Sequence, residues 1–245
     1  MGDVYFMQGK NSQLQDPMSS LEDKNSLRCE AISFNYVLRL SKILSRKIRV
    51  SGYVPDIIVA IGRGGYVPGR LISDLLLFNN LISMRIEHYA ITSEMRPESN
   101  IRFPISVDIN GKKVLIVDDL TDTGDTLSLA VNYIWNLKPA EVRTAVLQHK
   151  NCSTYVPDFY AQKIIKWRWV IYPWARYEDI AGFIEKIILN RNLDILHIIS
   201  EFKARYDLDI KKKELLEILD YLTEKGEIKC IDGNIPAWRI SRDNI

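Results

Sequence analysis

Val114-Leu115-Ile116-Val117-Asp118-Asp119-Leu120-Thr121-Asp122-Thr123-Gly124-Asp125-Thr126 is the stretch that decides the fold. Four apolar residues of high strand propensity run into two adjacent carboxylates. The chain then turns through small hydroxyl residues and a glycine. This order predicts a buried strand over Lys113–Val117, a loop, and a helix over Leu127–Leu137 that Pro139 stops. In open α/β sheets, ligands bind outside the carboxyl ends of strands. Small residues let backbone N–H groups approach an anion, hydroxyls add donors, and the helix N-terminus favours negative charge. The loop is built to hold a phosphate.

Two carboxylates ahead of an anion site would repel the anion if they acted alone. They make sense if the ligand also carries hydroxyls or a divalent cation. A ribose phosphate bearing a magnesium-bound pyrophosphate meets both demands, because Mg²⁺ keeps several waters and bridges phosphates.

Upstream, Asp56-Ile57-Ile58-Val59-Ala60-Ile61 reads as a second buried strand. It leads into Gly62-Arg63-Gly64-Gly65 and a helix over Arg70–Leu77, the opening of a βαβ unit. Glycines let backbone curl closely about an anion, and Arg63 adds a planar cation suited to phosphate oxygens. Two anion loops at neighbouring strand tips suit a substrate with a phosphate at each end. Further elements complete an alternating pattern: a helix over Glu30–Val50, strands over Leu81–His88 and Val142–Leu147, and a last strand over Ile164–Ile171. Residues 90–110 lack clear periodicity, and a stretch that long inside a compact domain is usually functional or disordered.

The string VLIVDDLTDTGDT resembles the signature for phosphoribosyl pyrophosphate (PRPP) of type I phosphoribosyltransferases. The turn from Ala60 to Gly69 resembles the pyrophosphate loop of the 6-oxopurine members, especially the xanthine–guanine type. The resemblance spans roughly residues 30–177. It implies an α/β fold of the type I kind, a mainly parallel sheet flanked by helices, and transfer of ribose phosphate from PRPP to a purine with Mg²⁺. By it, Asp118 and Asp119 hold the ribose, and Asp119 meets Mg²⁺ through water. Thr121, Asp122, Thr123, Gly124, Asp125 and Thr126 surround the 5′-phosphate, and Gly62, Arg63, Gly64 and Gly65 hold pyrophosphate.

The resemblance also supplies a base site. Lys150, at the end of Gln148-His149-Lys150, reaches the purine's exocyclic oxygen. In Lys166-Trp167-Arg168-Trp169-Val170-Ile171-Tyr172-Pro173-Trp174, Trp169 stacks on the base and the Val170 backbone reads its edge. Trp167 and Trp174 read as packing. Asp122 matches the aspartate that manages the base proton in 6-oxopurine enzymes. Tyr89, Arg96 and Arg102 are candidates for a lid over 90–105, and a homodimer is implied.

After Trp174 the pattern changes. Amphipathic helices are expected over 178–190, 193–205 and 211–225, with a hairpin about Asp232-Gly233-Asn234. This gives three regions: a leader over 1–27, a catalytic domain over 28–177 and a small C-terminal helical bundle over 178–245. Such an extension resembles that of archaeal adenine phosphoribosyltransferases, and on that ground the substrate reading leans to adenine. A charged Lys150 argues for an oxopurine instead.

The extension also resembles a winged helix, so a PRPP-sensing transcription regulator is a competing reading. However, residues 178–245 hold 14 acidic and 11 basic side chains, and the whole chain is only +2, a balance that disfavours nucleic acid. The three cysteines show no metal spacing, and no apolar run approaches the roughly 20 residues of a membrane span. A cytoplasmic setting is expected.

Overall fold

The computed structural model describes residues 27–89, 98–231 and 235–241. Its centre is a six-stranded sheet in the order β4-β3-β2-β5-β6-β7. The strands are β2 (Ile57–Gly62), β3 (Leu81–Tyr89), β4 (Glu98–Phe103), β5 (Lys113–Thr121), β6 (Glu141–Lys150) and β7 (Phe159–Ile164). All neighbours run parallel except β3 and β4. The sheet is an α/β sheet of the expected, mainly parallel kind.

Alternation along β5 shows why the central strands are apolar throughout. Leu115 and Val117 pack with Val37, Leu40, Leu44 and Ile48 of α1 (Phe34–Val50) and Ile72 of α2 (Tyr66–Leu75). Val114 and Ile116 face the other way, onto Leu127, Ala130 and Ile134 of α3 (Asp125–Asn136). Side chains alternate faces along a strand, so a sheet covered on both sides leaves no polar position in its middle. From β2 the chain winds outward to β3 in one direction. From β5 it winds to β6 and β7 in the other. The switch point lies between β2 and β5, whose tips carry the two glycine-containing loops.

Several boundaries differ from the sequence expectation, each for a local reason. The first helix starts at Phe34 because Ser33 is extended and its side chain accepts from the Tyr36 N–H; Cys29–Ala31 before it form β1. α2 begins at Tyr66 rather than Arg70, since Pro68 falls in the first turn, where a missing N–H loses no helical bond. The strand expected over 164–171 divides: β7 ends at Ile164, Ile165 is exposed, and β8 (Trp169–Ile171) leaves the sheet to pair with β1. Part of the aperiodic 90–110 segment is the antiparallel edge strand β4, whose polar sequence hides it. The lid candidate Arg96, the Tyr89 side chain and the 232–234 turn lie outside what is described.

Beyond Trp174 come α4 (Arg176–Ile188), β9 (Leu193–Asp194), α5 (Ile195–Tyr206), α6 (Lys212–Glu224), β10 (Ile228–Ile231) and β11 (Ala237–Ile240). The expected helices are joined by a three-stranded antiparallel sheet, β10-β11-β9. A single apolar cluster unites them: Ile180, Phe183, Ile184 and Ile187 of α4 meet Phe202, Leu219 and Trp238. The Arg176 guanidinium pairs with both Glu214 oxygens at 2.5 and 2.9 Å, fastening α4 to α6. No helix among the described residues is long and apolar enough to cross a membrane.

Candidate active site

The tip of β5 brings Asp118 and Asp119 into the crevice. Asp118 is buried, and its Oδ1 accepts from the Asp119 N–H at 2.9 Å. Burial, then the Asp119 charge, hold the Asp118 carboxyl well above its usual range. Burial also lifts Asp119 to about 6, against the pull of a hydrogen bond from Trp174 Nε1 to its Oδ2 at 3.2 Å. Two desolvated carboxylates side by side store unfavourable charge, which a cation or hydroxyl donors would relieve. Behind them the Tyr172 hydroxyl lies 3.0 Å from the Asp119 carbonyl oxygen and 2.8 Å from Gln148 Oε1. Gln148 donates on to Gln162, which also accepts from Tyr36 of α1.

The loop that follows is fixed by its own backbone chemistry. Thr121 is buried with an unpartnered hydroxyl oxygen among the described residues. Thr123 Oγ1 donates to Asp125 at 2.9 Å, and its carbonyl accepts from both the N–H and the hydroxyl of Thr154. Gly124 has φ of 101°, and a Cβ there would come within 2.7 Å of Tyr155. Only glycine satisfies both the left-handed turn and the close approach. α3 starts immediately afterwards, so its first-turn N–H groups adjoin the loop, and that of Asp125 donates to Thr123 Oγ1.

The β2 tip lies against the β5 tip. A Cβ on Gly64 would sit 2.6 Å from an Asp119 carboxylate oxygen, and one on Gly65 would meet the carbonyls of Val117 and Ile61. The Gly62–Arg63 peptide is cis. Arg63 Nη2 donates to both oxygens of Glu178 in the first turn of α4, at 2.5 and 2.7 Å. Between the tips lies a cleft of about 690 Å³, lined by Gly62, Arg63, Gly64, Asp118, Asp119, Thr126 and Glu178 among others. That volume suits a phosphorylated sugar.

A second cluster forms where β6 ends. Lys150 is 1% exposed, and its ammonium lies 2.6 Å from Asp122 Oδ2. The Trp167 ring covers that ammonium at 4.4 Å from the ring centroid, while its Nε1 donates to Asp122 Oδ1 at 3.3 Å. The Cys152 thiol is 3.9 Å from the same oxygen. Asp122 and Lys150, distant in sequence, are therefore brought together. Trp169 makes its polar contact elsewhere, donating from Nε1 to Asp179 Oδ1 at 3.1 Å, and Val170 is buried in the β1–β8 pair. Burial, chiefly, raises the Asp179 carboxyl to about 6.

Sequence reasoning missed Trp167, Trp174, Tyr172 and the Glu178–Asp179 pair. Both tryptophans expected only to pack bond site carboxylates. Lys166-Trp167-Arg168 carried no signal for this, since an apolar ring between two charges is the ordinary alternation of a half-buried strand.

Known proteins resemble the chain in sequence and in fold. The family "Phosphoribosyl transferase domain" matches residues 34–191. A xanthine-guanine phosphoribosyltransferase from Cereibacter sphaeroides is 30% identical, over 58% of this chain and 84% of its own. A hypoxanthine-guanine phosphoribosyltransferase from Saccharomyces cerevisiae is 29% identical, over 41% of this chain and 52% of its own. Among solved structures, a purine phosphoribosyltransferase from Pyrococcus horikoshii has a TM-score of 0.54 at 29% identity, covering 60% of this chain and 94% of its own. With two glycine-containing loops at the switch point of such a sheet, the chain belongs to the phosphoribosyltransferase family, as a pentosyltransferase with a type I, purine-type core.

Proposed function

We propose that the protein joins a 6-oxopurine (guanine, hypoxanthine or xanthine) to the ribose 5-phosphate of PRPP and releases pyrophosphate. The observation that carries this reading is the buried Lys150 ammonium beside Asp122. An ammonium has only donors, so it pairs with the exocyclic oxygen of an oxopurine and opposes the amine of adenine. The names of the relatives point the same way. The lean to adenine, drawn from the C-terminal extension, is therefore replaced by its alternative.

In this reading Thr121–Thr126 hold the 5′-phosphate, Asp118 and Asp119 hold the ribose hydroxyls, and Gly62-Arg63-Gly64-Gly65 hold the pyrophosphate. The purine nitrogen attacks C1 of the ribose as the bond from C1 to the pyrophosphate oxygen breaks, its electron pair leaving with that oxygen. Asp122 takes the proton from the purine ring, and Lys150 donates to the exocyclic oxygen. Trp169 and the Val170 backbone supply the stacking platform and edge contact. The protein contributes mainly position and electrostatics.

Asp119 and Asp118 fit a magnesium site: they are desolvated, raised in pKa and open to the cleft. An Mg²⁺ ion keeps several waters and is bound through one or two carboxylates plus substrate phosphates, so this pair is sufficient on the protein's side. Bound there, Mg²⁺ would neutralise charge on the departing pyrophosphate. The proposal further divides the chain into a catalytic unit over 28–177 and an extension over 178–245, in a cytoplasmic homodimer.

The test is PRPP-dependent consumption of guanine, hypoxanthine, xanthine and adenine in parallel with Mg²⁺. An oxopurine should exceed adenine in kcat/KM by at least about 100-fold, the scale set by mispaired polar groups. Preference for adenine would overturn the proposal.

A further inference from the structure

The first turn of α4 reaches across the cleft from the C-terminal side. Trp174 bonds Asp119, Ala175 and Glu178 line the cleft wall, and the Glu178 carboxylate straddles Arg63 Nη2. The next residue, Asp179, holds the Trp169 indole. Two consecutive side chains of one turn thus reach the pyrophosphate loop and the candidate base platform. The turn is not free to drift: Arg176 is locked to Glu214, and Ile180, Phe183 and Ile184 are sunk in the C-terminal core.

We infer that Glu178 is a further affinity-determining residue, a built-in counter-anion that competes with pyrophosphate for Arg63 and lets the C-terminal unit set how tightly PRPP is held. The inference rests on the proposed function. A carboxylate presents oxygens to a guanidinium much as a phosphate does, so the two ligands are mutually exclusive at Nη2. An anion that takes Nη2 must displace Glu178, and one that takes the remaining guanidinium donors still shares the space with its charge. Both effects weaken binding. Their size is limited, because Arg63 and Glu178 side chains are each 60% exposed. Exposed pairs are screened and individually weak, which corresponds to about a two- to five-fold effect on affinity.

The test is calorimetric titration of the full chain with magnesium-PRPP, comparing wild type with Glu178→Gln and Glu178→Ala. Both variants should bind about two- to five-fold more tightly, and the gap should narrow as salt rises from about 0.05 to about 0.5 M, where surface charges are screened. Thermal unfolding near the wild-type temperature shows that the turn is intact. Unchanged or weaker binding in folded variants overturns the role of Glu178. Failure of the wild type itself to bind magnesium-PRPP is a different outcome, and overturns the functional reading on which the role stands.

Discussion

Asp122 has both carboxylate oxygens engaged, one by Lys150 and the other by Trp167 and Cys152. In Asp122→Asn the amide oxygen still accepts from Lys150, but the side chain no longer takes a proton. Turnover should fall by about 100-fold or more, while the Kd for PRPP changes little. Equal losses in steady-state turnover and calorimetric binding would remove the proton-handling role. Asp119 tests a different property. Burial lifts its folded pKa to about 6, above the ordinary carboxylate value of 3.8, so the native state binds the proton more tightly than the unfolded chain. Stability from this group is present below about pH 4 and is lost as pH rises to about 6. Asp119→Asn should therefore gain on wild type across that window, by at most about 3 kcal/mol, and hold the gain at neutral pH. Melting temperatures of both proteins from pH 4 to 8 give the comparison. At this scale the sequence was informative where chemistry is local: Asp118, Asp119, Asp122 and the glycines stand out in short strings. Trp167 did not, because its partners Lys150 and Asp122 are set beside it only by the packing of β6 against β5 and β7.

Strand tips, rather than whole strands, carry the chemistry, and the glycines there are required by contact between loops. In Gly64→Ala the new methyl group would collide with the Asp119 carboxylate and push it from the cleft. Binding of PRPP should weaken by at least about ten-fold with the fold retained, as seen by titration and circular dichroism. The central strands were legible because double-sided burial leaves continuous apolar runs. β4 was not, since an edge strand with polar side chains has no such run. β8 was joined to β7 in the reading because both are aromatic and β-branched. Exposed Ile165 marks the break, and exposure is not written in residue type.

Across the whole molecule, winding in opposite directions from β2 and β5 opens one crevice, and the two glycine-containing loops, 62–65 and 121–126, though 56 to 64 residues apart along the chain, fall into it. The C-terminal elements follow the order helix, strand, helix, helix and hairpin of a winged helix. The exposed positions of α6 carry Glu217, Asp220 and Glu224 as well as Lys212 and Lys213, and the bases Lys203, Arg205 and Arg191 are paired with acids. Such mixed charge, 14 acids against 11 bases over 178–245, disfavours DNA, which demands a positive footprint.

The Arg176–Glu214 clasp and the shared core around Phe183 make it unwise to regard residues 192–245 as an ornament. A chain cut after residue 191, where the family match stops, would strip α4 of its packing partners and bare a greasy stripe to solvent. Such a fragment should precipitate on expression rather than yield a smaller working catalyst, and light scattering of the purified material would reveal it.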